Sequence, residues 1–132
     1  MAVCAALALF LLAPAATSSL TFYTASDTHL GHDVGNITSL FLNTVTIDKI
    51  NDLAACGGAG VNCSWPASLG GGPVAAPRAV VVSGDLIDNG NDASGDMVKQ
   101  WMNWTALYGF DGTDGRLRYP VYESRGNHDG CV

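Results

Sequence analysis

The chain has 132 residues, with six Lys and Arg against twelve Asp and Glu, which gives a formal net charge of −6. That length fits one small domain, and an apolar fraction of 48% excludes an intrinsically disordered chain. Nucleic acids and anionic membranes bind basic surfaces, so the negative charge argues against both as the main partner, and we predict no nucleic-acid-binding surface. Of the acidic residues only Glu123 is a glutamate, and aspartate is typical of turns, caps and metal sites.

The first 18 residues are typical of a signal peptide. Residues 4–13 read CAALALFLLA, which is too short to span a bilayer but matches the apolar segment of a signal. Small residues follow, so cleavage after Ala15 or Ser18 is expected; a buried N-terminal strand or helix is the alternative. No later apolar run approaches the roughly 20 residues of a membrane span. We therefore predict a protein that is secreted or in the secretory-pathway lumen, with no membrane span after signal cleavage.

In a secreted protein, cysteines can form disulfides and glycosylation sequons can carry glycans. Cys56 and Cys63 flank a Gly-rich turn and could close a short disulfide loop in an oxidising compartment. Cys4 would leave with the signal peptide, and Cys131 would then have no partner in this sequence. Asn-x-Ser/Thr triplets, which are acceptors for N-linked glycans, occur at Asn36, Asn62 and Asn103.

Hydrophobic patterning predicts the element order β-α-β-α-β, which is typical of a mostly parallel sheet. In chain order, the elements are expected at residues 20–26 (strand), 37–53 (helix), 79–82 (strand), 96–108 (helix) and 119–124 (strand). The first strand is expected to be buried. The continuous apolar run of the second, AVVV, indicates a strand covered on both faces.

Two further patterns concern packing. Residues 57–77 are rich in Gly and Pro without an apolar period, so they are predicted to form an inserted surface loop. Trp101, Trp104 and Tyr108 lie at helical spacing and are predicted to be core residues rather than a platform for substrate.

Each predicted strand ends in a polar cluster. The clusters read Asp27-Thr28-His29, then GDLIDNG at residues 84–90, then GNHD at residues 126–129. In parallel sheets ligands bind at the carboxyl ends of the strands, so these segments are expected to converge. Their Asp, Asn and His side chains suit Fe, Mn, Zn or Ni, and the absence of Cys disfavours a structural zinc site. Alternatively, the aspartates could cap loops and the histidines could be hydrogen-bonded structural residues.

The spacing is consistent with two cations. Asp27 and His29 can point to the same side of an extended segment and reach one ion. Gly84 would let the backbone approach that ion, and the two oxygens of Asp85 could bridge cations about 3.5–4 Å apart. Asn127 offers a carbonyl oxygen to the second cation. Asp129 is expected to be a supporting hydrogen-bond acceptor rather than a ligand.

From about Leu20 to its last residue, the chain resembles the calcineurin-like metallophosphoesterase family through DTH, GDLIDNG and GNHD. The resemblance implies an α/β fold, the N-terminal β-α-β-α-β half of a metallophosphoesterase-type β-sandwich flanked by helices, over residues 20–132. It also implies two divalent metal cations and a phosphate-ester substrate. Asp27 and His29 would bind the first cation, Asp85 would bridge both, and Asn127 would bind the second.

The resemblance also implies the reaction, which is hydrolysis of phosphomonoesters or phosphodiesters by a metal-activated water attacking in line. His128 would assist at the leaving group or a phosphate oxygen. Asp88 would hydrogen-bond His128 and hold its orientation.

The family's further ligands, a lone His and a Gly-His-x-His motif, have no counterpart in this sequence. We therefore expect the N-terminal half of a longer domain, with little or no turnover by this chain alone. The alternative function is a non-catalytic secreted glycoprotein that retains part of the fold. A metal-free surface interaction protein is disfavoured because three site motifs occur in order.

Overall fold

The computed structural model describes residues 20–55, 63–91 and 96–130. They form an α/β fold whose elements follow the predicted β-α-β-α-β order. In chain order these are β1 (Phe22–Ala25), α1 (Ser39–Ala55), β2 (Ala79–Ser83), α2 (Asp96–Tyr108) and β3 (Val121–Ser124). The predicted order is therefore confirmed, and the predicted bounds of α2 are correct at both ends.

Several predictions fall outside the described residues: the signal peptide, Cys56, Asn62 and Cys131. The second sheet of a sandwich stays a prediction. The described part of the 57–77 connection contains a single 3-10 turn, Ala67–Leu69, and no strand, as expected for a surface loop. No helix within the described ranges is long and apolar enough to cross a membrane.

The sheet is parallel throughout, with β2 between β1 and β3. In the register, Phe22 pairs with Ala79, and Val80 pairs with Val121. Because the three strands run in one direction, all three of their carboxyl ends lie at the same edge. The sheet topology therefore brings together the segments that carry the polar clusters.

Burial differs sharply between the central strand β2 and the edge strand β1. Val80 and Val82 of β2 are fully buried, as the AVVV run predicted. The prediction of a buried first strand is wrong for half of β1, because Phe22 and Thr24 face outward and only alternate residues pack on the core. An edge strand with one covered face buries every second side chain, even where its sequence is apolar.

The core joins β2 to both helices. Trp104 is fully buried and stacks on Tyr108 with ring centroids 5.1 Å apart, and Trp101 meets Trp104 edge-on at 6.0 Å. These aromatic residues are thus core residues, as predicted. Offset or edge-on aromatic contacts add about 0.5–1.5 kcal/mol to the apolar burial itself.

A buried polar network links α1, α2 and the loop after β1. The side-chain amide of Asn43 donates to the carbonyl oxygens of Thr28 and Ser39, and its Oδ1 accepts from the Tyr108 hydroxyl at 2.5 Å. Burial raises the pKa of Tyr108, so its hydroxyl stays protonated and available as the donor. Asn43 has a modest helix propensity, but its side chain satisfies groups that water cannot reach.

We expect Tyr108→Phe to lower the free energy of unfolding by about 1–3 kcal/mol, because it leaves the buried Oδ1 of Asn43 without its donor. Tyr122→Phe is the matched control, because the Tyr122 side chain is 64% exposed. This variant should lower the free energy of unfolding by no more than about 0.5 kcal/mol. Urea unfolding of both variants measures the difference. Equal losses in the two variants would contradict the network.

Candidate metal centre

The polar clusters after the three strands meet at the carboxyl edge of the sheet. His29 Nε2 lies 3.6 Å from Asp85 Oδ2 and 3.8 Å from Asp27 Oδ1. His128 joins them, because one potential ligand atom each from His29, Asp85 and His128 lie within 4.8 Å of one another. Side chains that are far apart in the sequence thus form one cluster of oxygen and nitrogen donors.

The backbone at this cluster is strained. Asp27, His29 and Asp85 have φ values of 53°, 38° and 48°, and within the described ranges they are the only non-glycine residues with positive φ. The left-handed region costs such residues about 1–3 kcal/mol each, and residues in it concentrate at functional sites. The expectation that Asp27 and His29 converge along an extended segment is therefore wrong. Left-handed turns aim both side chains at the cluster instead.

Hydrogen bonds between the loops hold these turns. Beyond the end of the sheet, the N–H groups of Asp27, His29 and Leu30 donate to the carbonyls of Gly84, Asp85 and Leu86 at 3.2, 2.9 and 3.1 Å. The Thr28 hydroxyl also donates to the Leu86 carbonyl at 2.8 Å. The parallel pairing of β1 and β2 thus continues into the loops and keeps their side chains in register.

Glycines let the loops after β2 and β3 come close together. Gly84 has a φ of 76°, and a Cβ there would lie 3.1 Å from the Gly126 Cα. A Cβ on Gly126 would collide with Asp85. Gly84 therefore allows close contact between these two loops, and its predicted role in letting the backbone approach an ion stays a prediction.

The buried carboxylate of Asp129 joins the loops after β2 and β3 by hydrogen bonds. It is 3% exposed, and its carboxylate accepts from the N–H groups of Leu86 at 2.7 Å, Ile87 at 2.9 Å and Gly126 at 2.7 Å. Asp129 is thus a hydrogen-bond acceptor for backbone N–H groups, as predicted.

Asp88 bonds His128, as predicted, but through its main chain rather than its carboxylate. Its Oδ1 accepts from His29 Nδ1 at 3.1 Å and lies 3.8 Å from His128 Nδ1, which is beyond hydrogen-bond distance. His128 Nδ1 bonds the Asp88 backbone carbonyl instead, at 2.8 Å. Asp88 therefore orients both rings, using its carboxylate for His29 and its main chain for His128.

His128 is held by its backbone as well as by its ring. Its N–H donates to Asp85 Oδ1 at 2.9 Å. The Asp88 carbonyl, helped by the carboxylates of Asp85, Asp88 and Asp129, raises the pKa of His128. The preceding Asn127 is exposed in the same loop, and its role as a ligand stays a prediction.

The sequence predicts a solvated loop position for His32, and the structure places its exposed side chain beside this site. Its side chain is 62% exposed, with Nδ1 3.4 Å from Asp88 Oδ1. His32 follows His29 by three positions across Gly31, and a tight turn there returns the chain, with the His32 N–H donating to the His29 carbonyl at 3.0 Å. Gly31, which lies between His29 and His32 and permits the tight turn, is the sequence feature that could have indicated that His32 lies beside the site.

The cluster of His29, Asp85 and His128 could hold a divalent cation. Cation–nitrogen and cation–oxygen bonds of about 2.0–2.2 Å place neighbouring ligand atoms about 3–3.6 Å apart. The distances from His29 Nε2 to Asp85 and Asp27, 3.6 and 3.8 Å, are close to that range. Because His29 Nδ1 faces the Asp88 carboxylate, the tautomer with its proton on Nδ1 would satisfy that bond and leave the Nε2 lone pair for a cation. A second cation stays a prediction.

The predicted modification sites have different surroundings. Asn36 is exposed in a turn, whereas Asn103 is half-buried in α2 and lines a cavity of about 320 Å³ with Leu30 and Gln100. Cys63 is disulfide-bonded, and every other cysteine of the sequence lies outside the described residues. Pairing of Cys63 with Cys56 therefore stays a prediction.

Comparisons of the chain with protein-family profiles, with curated proteins and with solved structures find no significant match.

We expect Asp129→Asn to destabilise the protein by about 1–3 kcal/mol, because an amide offers one acceptor oxygen and leaves a buried backbone N–H facing an NH2 group. Asp96→Asn, at the exposed first position of α2, is the control and should cost only a few tenths of a kcal/mol. Thermal unfolding compares them. A loss of stability in Asp96→Asn as large as that in Asp129→Asn would contradict the role given to the buried Asp129 carboxylate.

Proposed function

We propose that the chain binds a divalent cation through Asp27, His29 and Asp85 and serves the metal-dependent hydrolysis of phosphate esters. The observation that carries the proposal is the convergence of one carboxylate oxygen each from Asp27 and Asp85 on His29 Nε2, at 3.8 and 3.6 Å, with His128 beside them at the carboxyl edge of the sheet. The resemblance of DTH, GDLIDNG and GNHD to calcineurin-like metallophosphoesterases supplies the reaction class. Fe, Mn, Zn and Ni all suit this mixed donor set.

Strain at the donors supports a functional site over a structural one. Structural loops seldom place three non-glycine residues in the left-handed region, and here all three belong to the donor set. The Asp27 side chain is 64% exposed, so its carboxylate lies on the solvent side of the cluster. A cation bound at the cluster would polarise a phosphoryl oxygen and lower the pKa of a water molecule.

The protein residues have distinct tasks in this proposal. Asp85 and Asp27 supply negative charge, and His29 supplies a neutral nitrogen whose tautomer Asp88 fixes. His128 keeps its proton to higher pH than an ordinary histidine, because its pKa is raised. Its imidazolium can therefore donate to a phosphate oxygen or to the leaving group. Asn127 would provide the amide oxygen of a second cation site.

Asp85→Asn should weaken cation binding more than any other single change in the cluster. The Asp85 side chain is 14% exposed, against 64% for Asp27, so its charge acts in a less screened environment. Asparagine keeps an oxygen for the His128 N–H and removes only the charge. We expect at least about a tenfold rise in the Kd for Mn²⁺ by calorimetric titration.

Asp48→Asn is the matched control for that titration. Asp48 is exposed and pairs with Arg116 at 2.7 Å, so its replacement removes an equal charge at a surface ion pair and should leave the Kd unchanged. Absence of Mn²⁺ and Zn²⁺ binding by the unmodified chain would overturn the proposal. Cation binding without cation-dependent binding of inorganic phosphate would favour the non-catalytic glycoprotein.

His128→Gln should weaken cation-dependent phosphate binding in a pH-dependent way. A raised pKa means that His128 is charged below that pKa and loses its charge as the pH rises through it. The ratio of wild-type to variant affinity for phosphate should therefore be largest at low pH and approach one at high pH. Taking the ratio cancels the titration of phosphate itself. A ratio that does not change with pH would remove the proposed role of the imidazolium.

A further inference from the structure

Gln100 of α2 is a half-buried side chain that reaches the turn carrying Asp88. Its Oε1 accepts hydrogen bonds from the N–H groups of Asp88 at 3.1 Å and Asn89 at 3.0 Å. These bonds connect a helix to the middle of the GDLIDNG segment. One amide oxygen thus fixes two successive peptide groups of that turn.

The same amide packs against the loop after β1. Gly31 has a φ of 116°, and a Cβ built there would collide with the Gln100 amide. Gln100 therefore fills space that only a glycine leaves open. Its amide lies between the loop that carries His29 and the turn that carries Asp88.

The position of Asp88 matters for the state of His29. Asp88 Oδ1 accepts from His29 Nδ1 at 3.1 Å, and this bond favours a proton on Nδ1 and turns Nε2 towards Asp27 and Asp85. Apart from Gln100, the Asp88 N–H donates to the Leu30 carbonyl at 3.1 Å. Without Gln100, the Asp88 N–H keeps only the Leu30 carbonyl as its acceptor, and the exposed Asn89 N–H turns to water.

We infer that Gln100 is a positioning residue of the cation site, which acts through Asp88 to hold the tautomer and orientation of His29. The inference rests on the proposed function for its ligand and on the three hydrogen bonds for its mechanism. Partners that orient metal-binding histidines typically change metal affinity by about 10–100-fold when removed. Because Gln100 acts one contact further away, we expect the lower end of that range.

The test compares three variants of the full chain. Gln100→Met keeps the side-chain length and removes the acceptor, Gln100→Glu restores an acceptor oxygen, and Lys99→Met makes the same apolar change at an exposed neighbour in α2. We expect Gln100→Met to raise the Kd for Mn²⁺ about tenfold. Gln100→Glu and Lys99→Met should stay near the wild-type value.

A second readout does not depend on the metal. Side-chain ¹⁵N NMR of His29 in the metal-free protein at mildly alkaline pH should show a proton on Nδ1 in the wild type. In Gln100→Met the two tautomers should mix, whereas the circular dichroism spectrum, which reports the fold, should not change.

The outcomes separate this inference from the proposed function. If the wild type binds no Mn²⁺, the proposed function fails, and the positioning role is decided by the His29 tautomer alone. If the wild type binds Mn²⁺ and Gln100→Met has the same Kd and tautomer, the inference is overturned. It is also overturned if Gln100→Glu is as defective as Gln100→Met, because restoring the acceptor oxygen would then fail to restore the site.

Discussion

Hydrogen bonds between the loops after β1 and β2 are the interaction on which the rest of the site depends. They extend the parallel pairing of the strands by three peptide N–H groups, those of Asp27, His29 and Leu30. Within this ladder the chain adopts left-handed conformations at Asp27, His29 and Asp85, which an isolated loop would avoid. The stability of the sheet and its core therefore offsets local strain, and that strain aims the donor side chains at one another.

Polar side chains from other elements then fix each loop from a different direction. Asn43 of α1 holds the Thr28 carbonyl, Gln100 of α2 holds the N–H groups of Asp88 and Asn89, and Asp129 binds the loops after β2 and β3 together. Each contact joins segments that are distant in the sequence. The candidate ligands are thus held before any cation arrives, which reduces the ordering that binding requires.

The sequence predicted the order of the elements and the edge at which the polar clusters meet, because hydrophobic period and parallel pairing determine both. It did not predict how those clusters are built. Positive φ at Asp27 and His29 depends on bonds to the β2 loop, and the pairing of Asp88 with His29 depends on a turn anchored by Gln100. The exposure of half of β1 could not be predicted either, because an apolar strand sequence does not reveal which of its faces is covered.

His29 and His128 lie in edge contact, with ring centroids 4.6 Å apart, yet they have different partners. The Asp88 carboxylate bonds His29, and this leaves His29 a free nitrogen that faces Asp27 and Asp85. The Asp88 carbonyl bonds His128 and raises its pKa, so His128 holds its proton more firmly. One residue therefore gives two neighbouring imidazoles opposite properties, a nitrogen suited to a cation and a proton suited to an anion. Because both effects come from Asp88, any change that moves its turn should alter both imidazoles together.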